Sequence, residues 1–105
     1  MGDIELGEIG DHVLFENEKI RIWEMCVKPG EASPWHHHQH DYVVVVVEGD
    51  RVAVEHPAGE EPRSGEGYGE VAIQPGDVVF LEAGATEIAR NTGKSRYRDI
   101  QIELK

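Results

Sequence analysis

Cysteine is all but missing from this chain of 105 residues. With Cys26 alone, no intramolecular disulfide can form. No second ligand at metal-site spacing accompanies Cys26, and its neighbours are apolar or aromatic, so its expected role is packing. Basic residues are scarce as well: ten lysines and arginines face 21 acids, a formal charge of −11. Such a field repels phosphate backbones and anionic lipid, so neither nucleic acid nor membrane is an expected partner, and the charge is read as serving solubility. No apolar run reaches the roughly 18 residues a membrane-spanning helix needs. The opening MGDIELGEIGD lacks the basic and apolar regions of a signal peptide, so the expected location is cytoplasmic. Convincing helical periodicity is absent from every window.

What fills the chain instead is a series of short β-type runs separated by turn residues. Residues 12–16 and 19–28 flank a polar turn around Asn17, and the second run alternates Ile20 and Ile22 with Arg21, Trp23, Met25 and Val27. Residues 42–47 hold five consecutive valines, the composition of a strand covered on both faces, and Glu48-Gly49-Asp50 turns the chain into a return strand over 51–56. Residues 57–69 carry four glycines and two prolines and read as a loop. Runs at 70–73, 78–81, 86–90 and 97–104 follow, with Val79, Phe80 and Leu81 expected in the core and the last run alternating Ile100, Ile102 and Leu104 with Gln101 and Glu103. The reading is an all-β domain over residues 12–105, preceded by a loosely held arm, residues 1–11.

Within this pattern, His36, His38 and His40 recur at every second position. In extended backbone such residues leave one face of the strand, with His37 and Gln39 on the other, so the three imidazoles can converge on one ion. His12 and His56 fall at strand ends and read as exposed, although His56 can line a barrel mouth. Trp23, Trp35, Met25 and Phe80 read as core or cavity wall, and Arg90 and Arg98 as solvated surface.

Two blocks now resemble the paired motifs of the cupin superfamily. Gly30, His36, His38 and Gly49 match the first with its expected gaps, and Gly76, Gly84 and Asn91 match the second. The resemblance covers about residues 20 to 104 and implies a cupin-type jelly-roll barrel of two packed antiparallel sheets enclosing a metal site. It also exposes departures. Tyr42 stands where the first motif has a glutamate, Glu82 where the second has a proline, and Glu87 where the second has its histidine ligand.

The resemblance therefore implies a ligand set of His36, His38 and Glu87, similar to the two-histidine, one-carboxylate arrangement that holds non-haem iron. His40 is a further candidate nitrogen ligand, ranked below Glu87. Tyr42 is expected to hydrogen-bond to a bound water, to Glu87 or to substrate, and to pass a proton to or from the substrate. Iron, manganese, nickel, zinc and copper all suit such a site. The implied function is a metal-dependent enzyme of dioxygenase, isomerase or lyase type acting on a small, partly apolar, oxygen-containing substrate. The alternative is a metal-free cupin that binds or senses a small molecule, with His36 and His38 hydrogen-bonded to each other or to Glu87. A homodimer is expected from exposed sheet edges.

Overall fold

The computed structural model describes residues 5–57 and 69–105. Strands β1 (His12–Glu16), β2 (Ile20–Val27), β3 (His36–His37), β4 (Asp41–Glu48), β5 (Arg51–Glu55), β6 (Gly69–Ala72), β7 (Val78–Leu81), β8 (Thr86–Asn91) and β9 (Tyr97–Leu104) follow one another with no helix among the described residues. They form two antiparallel sheets, one of order β1-β2-β9-β4-β7 and one of order β3-β8-β5-β6. The expected all-β jelly roll of two packed sheets is what the chain adopts. Most of the loop read at residues 57–69 falls on 58–68, outside the described residues.

Turn chemistry sets where the strands end. The four glycines of the two sequence blocks, Gly30, Gly49, Gly76 and Gly84, all have positive φ. At Gly49, φ is 138°, and an added Cβ would also lie 3.1 Å from the Tyr97 ring and 3.2 Å from Ile73. Any L side chain there would strain the turn by which the chain crosses from β4 in one sheet to β5 in the other, so this turn is a crossover and not a hairpin.

Side-chain alternation is present, but with inverted polarity on the last strand. Along β9 the buried residues are Tyr97, Asp99, Gln101 and Glu103, while Arg98, Ile100 and Ile102 are half-buried and Leu104 is exposed. The barrel interior is thus partly polar, and the isoleucines point out of it. The same holds for β7, whose Val79, Phe80 and Leu81 were expected in the core: all four of its residues are exposed. Nor is β4 covered on both faces. Tyr42 and Val46 are buried, Val43, Val44 and Val45 are half-buried, and Val47 is exposed.

Cross-strand register connects these residues into one outward row. Phe15 lies opposite Ile22, Ile22 opposite Ile102, Ile102 opposite Val43 and Val43 opposite Phe80. Facing residues on neighbouring strands share a face, so five apolar side chains cross the whole sheet on its outer surface. On the inner side, Met25, Val27, Val46, Val52 and Tyr97 form the apolar core, with Ile73 and Ala89 against it. Each valine buried there contributes roughly 1.5–3 kcal/mol.

The segment read as a loose arm is tied down where it is described. Gly7 N–H donates to the Trp35 carbonyl and Asp11 N–H to the Glu24 carbonyl, each at 2.7 Å, and Ile9 is buried. A Cβ on Gly10 would lie 2.7 Å from the Glu24 carbonyl oxygen, so the backbone approaches β2 as closely as only glycine permits.

Candidate metal centre

The site starts from a two-residue strand. In the β3–β8 ladder His36 is the partner of Glu87 and His37 of Thr86, so His36 and Glu87 leave the same face of the second sheet. Beyond β3 the chain keeps its course: His38 N–H donates to the Ala85 carbonyl at 2.9 Å and Gly84 N–H donates to the His38 carbonyl at 2.8 Å. His38 therefore returns to the inner face, while His37 Nδ1 meets the Thr86 hydroxyl at 2.8 Å. Tyr42 reaches across from the opposite sheet. Its ring stacks on His38 with centroids 3.8 Å apart and 9° between the planes, and its hydroxyl donates to Glu87 Oε1 at 3.0 Å.

His36, His38 and Glu87 each offer one ligand atom, and these atoms all lie within 4.8 Å of one another. His38 Nε2 is 3.1 Å and His36 Nε2 3.9 Å from Glu87 Oε1. His36, His38 and Tyr42 are only 1–2% exposed. The tautomer of His36 follows from its other nitrogen: Nδ1 lies 3.0 Å from the Pro34 carbonyl oxygen. A carbonyl oxygen accepts and never donates, so in the neutral ring Nδ1 carries the hydrogen and Nε2 presents a lone pair to Glu87. Two acceptors facing each other across 3.9 Å repel, and a cation between them removes the conflict. The residues present fit a divalent ion.

Electrostatics point the same way. Burial lowers the His36 imidazole below its ordinary value, and the neighbouring His38 lowers it further, which favours the neutral, ligating form. For Glu87, burial acts to raise the carboxyl. Hydrogen bonds from His38 and Tyr42, with the nearby imidazoles, outweigh it and hold the group below its usual range, in the ionised form a metal needs. Burial and the Glu87 carboxylate push the Tyr42 phenol well above its ordinary value, so Tyr42 stays protonated and donates.

Other expected site residues lie elsewhere. His40 is not part of the three-residue group. It is half-buried beside a separate cavity of about 160 Å³, lined also by Arg21, Trp23, His37 and Glu103. The reason is local: β3 ends at His37, so the strict alternation that would carry His40 onto the same face stops before it. Trp23 donates from Nε1 to Glu103 Oε1 at 2.5 Å. Arg90 pairs with Glu55, and Arg98 with Glu24.

His56, read as exposed, is instead 11% exposed at its side chain, with Nε2 4.0 Å from Glu87 Oε2. Its place just past the end of β5, next to β8 in the sheet, brings it there. Asp99 also went unnoticed in the sequence. It accepts a 2.5 Å hydrogen bond from the Tyr97 hydroxyl and another from Gln101 Nε2, and burial raises its carboxyl to about 6 in spite of them. The strand parity of β9 held a signal for Asp99, but only if its polar set is assigned to the inside.

No family model matches the sequence, and no curated protein matches it. Solved structures do. A cupin domain from Bordetella pertussis Tohama I is 26% identical with a TM-score of 0.76, the match covering 99% of both chains. A cupin superfamily protein from Desulfitobacterium hafniense DCB-2 is 15% identical with a TM-score of 0.65, over 97% of this chain and 82% of that one. A cupin family protein with a double-stranded β-helix fold from Methanocaldococcus jannaschii is 11% identical with a TM-score of 0.68, over 99% of this chain and 90% of that one.

Proposed function

We propose that this chain, by its fold a member of the cupin superfamily, holds one divalent metal ion on His36, His38 and Glu87 and uses it to act on a small, partly apolar, oxygen-containing substrate. The observation that carries the reading is the approach of three ligand atoms from β3, the following turn and β8 to within 4.8 Å at a buried position. Iron, manganese, nickel, zinc and copper are all compatible with two imidazoles and a carboxylate. Held by these residues, such an ion would supply Lewis-acid chemistry toward a carbonyl or enolate oxygen and, if it were iron, redox chemistry with dioxygen, as a dioxygenase, an isomerase or a lyase requires.

The chain's own residues do the rest. Tyr42 orients Glu87 through its hydroxyl and fixes the His38 ring by stacking, so two of the three ligands are set by one side chain. The Pro34 carbonyl fixes the tautomer of His36. Tyr42 Oη, kept protonated by burial, is the proton donor nearest the carboxylate.

Thermal melting of chelator-treated protein with and without each ion tests this. The expected result is a rise in melting temperature with at least one ion, abolished by Glu87→Gln, followed by oxygen uptake or turnover of carbonyl substrates by the loaded protein. A metal-free binding role has its own supporting observation, since Glu87 Oε1 already receives hydrogen bonds from Tyr42 and His38. Stabilisation by metabolites but by no ion would select it.

We further propose a homodimer formed through the outer face of the five-stranded sheet. The row from Phe15 to Phe80 supports it, with Phe15 52% and Phe80 56% exposed. The favoured occupant is a second copy, because the charges at the edge of this face cancel within the chain: Arg98 pairs with Glu24, and Arg96 with Glu48 at 2.7 Å. These local pairs add no like charge to the contact, although each copy carries a net −11.

A further inference from the structure

The β-ladders set Glu103 of β9 opposite Arg21 of β2 on one side and opposite Tyr42 of β4 on the other. Facing residues share a sheet face, so Arg21, Glu103 and Tyr42 form one inward row, and Glu103 stands one strand away from the metal centre. Its side chain is 4% exposed. Both neighbours of the carboxylate take Oε1: Trp23 Nε1 donates to it at 2.5 Å, and Arg21 Nη1 stays 3.9 Å away, beyond hydrogen-bond reach. Among the described residues none takes Oε2. A carboxylate this buried is normally met by a hydrogen-bonded cation, whereas here its one hydrogen bond comes from a neutral indole.

Nor is Oε2 sealed in the interior. The described side-chain atoms sealed without a partner are His38 Nδ1 and Thr92 Oγ1. Glu103 Oε2 keeps open surface, and the cavity that Glu103 lines is the one of about 160 Å³ that also has Arg21, Trp23 and His40 in its wall. Gly7, Glu8 and Ile9 of the N-terminal arm close one side of it, held by the 2.7 Å bond from Gly7 N–H to the Trp35 carbonyl. At about 30 Å³ per water, the space suits roughly five waters or a ligand of the same bulk.

Charge selects the ligand. With the imidazoles neutral, the wall carries the carboxylates of Glu8 and Glu103 against the single guanidinium of Arg21, which is already committed to Glu16 at 2.7 Å. That excess repels an anion and draws a cation. The Trp23 indole has spent its N–H on Glu103, so what it offers a ligand is apolar ring surface, a good neighbour for an organic cation.

We infer that this cavity binds a small organic cation, a primary ammonium compound whose N–H groups are taken by Glu103 Oε2 and whose carbon chain lies along Trp23. The site is separate from the metal centre and does not depend on an ion there, since none of His36, His38 and Glu87 lines it.

Heteronuclear NMR on the chelator-treated full chain at pH 8 and constant ionic strength tests this, with the Trp23 indole N–H as reporter. Propylammonium chloride is the probe, and n-propanol and sodium propionate, of similar size, are the controls. The expected result is a saturable shift of the Trp23 resonance with propylammonium in the millimolar range and none with either control. Glu103→Gln, which keeps the shape of the side chain, should weaken binding by about tenfold or more. Arg21→Gln removes the competing cation from a partly exposed position and should tighten binding severalfold. It decides the matter if circular dichroism shows that the Glu103 variant does not fold. Absence of a saturable shift, an equal response to n-propanol or propionate, a folded Glu103→Gln that binds like the wild type, or an Arg21→Gln that binds no tighter overturns the inference. With metal removed throughout, a failure here leaves the three-residue site standing.

Discussion

Tyr42 and Glu87, brought from opposite sheets, are joined by a 3.0 Å hydrogen bond in which the phenol donates to the same carboxylate oxygen that His38 Nε2 approaches at 3.1 Å. One oxygen therefore gathers a phenol, an imidazole and, in the proposed site, an ion. Replacing Tyr42 by Phe keeps the ring that stacks on His38 and removes the donor. The expected outcome is a loss of about 1–2 kcal/mol in stability by denaturant unfolding. Metal affinity should fall by about 10- to 100-fold at unchanged stoichiometry, as for a residue that orients a ligand.

Asp99 gives the protein a pH signature. Its carboxyl sits at about 6 in the folded state and about 4 in an unfolded chain. Between these values the folded protein holds a proton that the unfolded chain has released, so stability falls as pH rises through this window, and the penalty is fully present above it. The separation corresponds to roughly 3 kcal/mol at neutral pH. Asp99→Asn cannot ionise. Its melting temperature should exceed that of the wild type by several degrees at pH 8, with the difference closing towards pH 4. A constant difference across that range would assign the effect to packing.

The outward row predicts the state of assembly. Light scattering should return about twice the chain mass of 11.7 kDa for the wild type at micromolar concentration. Phe80→Glu puts a charge at the β7 end of the apolar row and should give a monomer with an unchanged circular dichroism spectrum. A wild-type monomer at that concentration contradicts the proposed dimer.

Period and turns made most of the strand order legible in the sequence. Alternation at two residues located Tyr97–Leu104, a short apolar run between turn residues located Val78–Leu81, and glycines at motif spacing marked turns that need positive φ. Which face of a strand points inward was not legible. Hydrophobic alternation assigns the apolar set to the core by default, but here the barrel interior takes Asp99, Gln101 and Glu103 while Ile100, Ile102 and Phe80 line the outer surface. A lone strand carries no information on which side a second sheet will cover.

The candidate site divides in the same way. His36 and His38 were visible through spacing and Glu87 through its place in a motif. His40 was grouped with them on the assumption of a continuous strand, whereas β3 stops at His37. His56 reaches Glu87 through the β5–β8 ladder, a pairing between segments distant in the chain that periodicity does not encode.

The most direct measurement is elemental analysis of protein expressed in metal-supplemented medium, wild type beside the double variant His36→Ala/His38→Ala, each checked for folding by circular dichroism. The account predicts close to one first-row divalent ion per chain in the wild type and almost none in the folded double variant. A wild type free of metal, or a double variant that retains as much as the wild type, would contradict it.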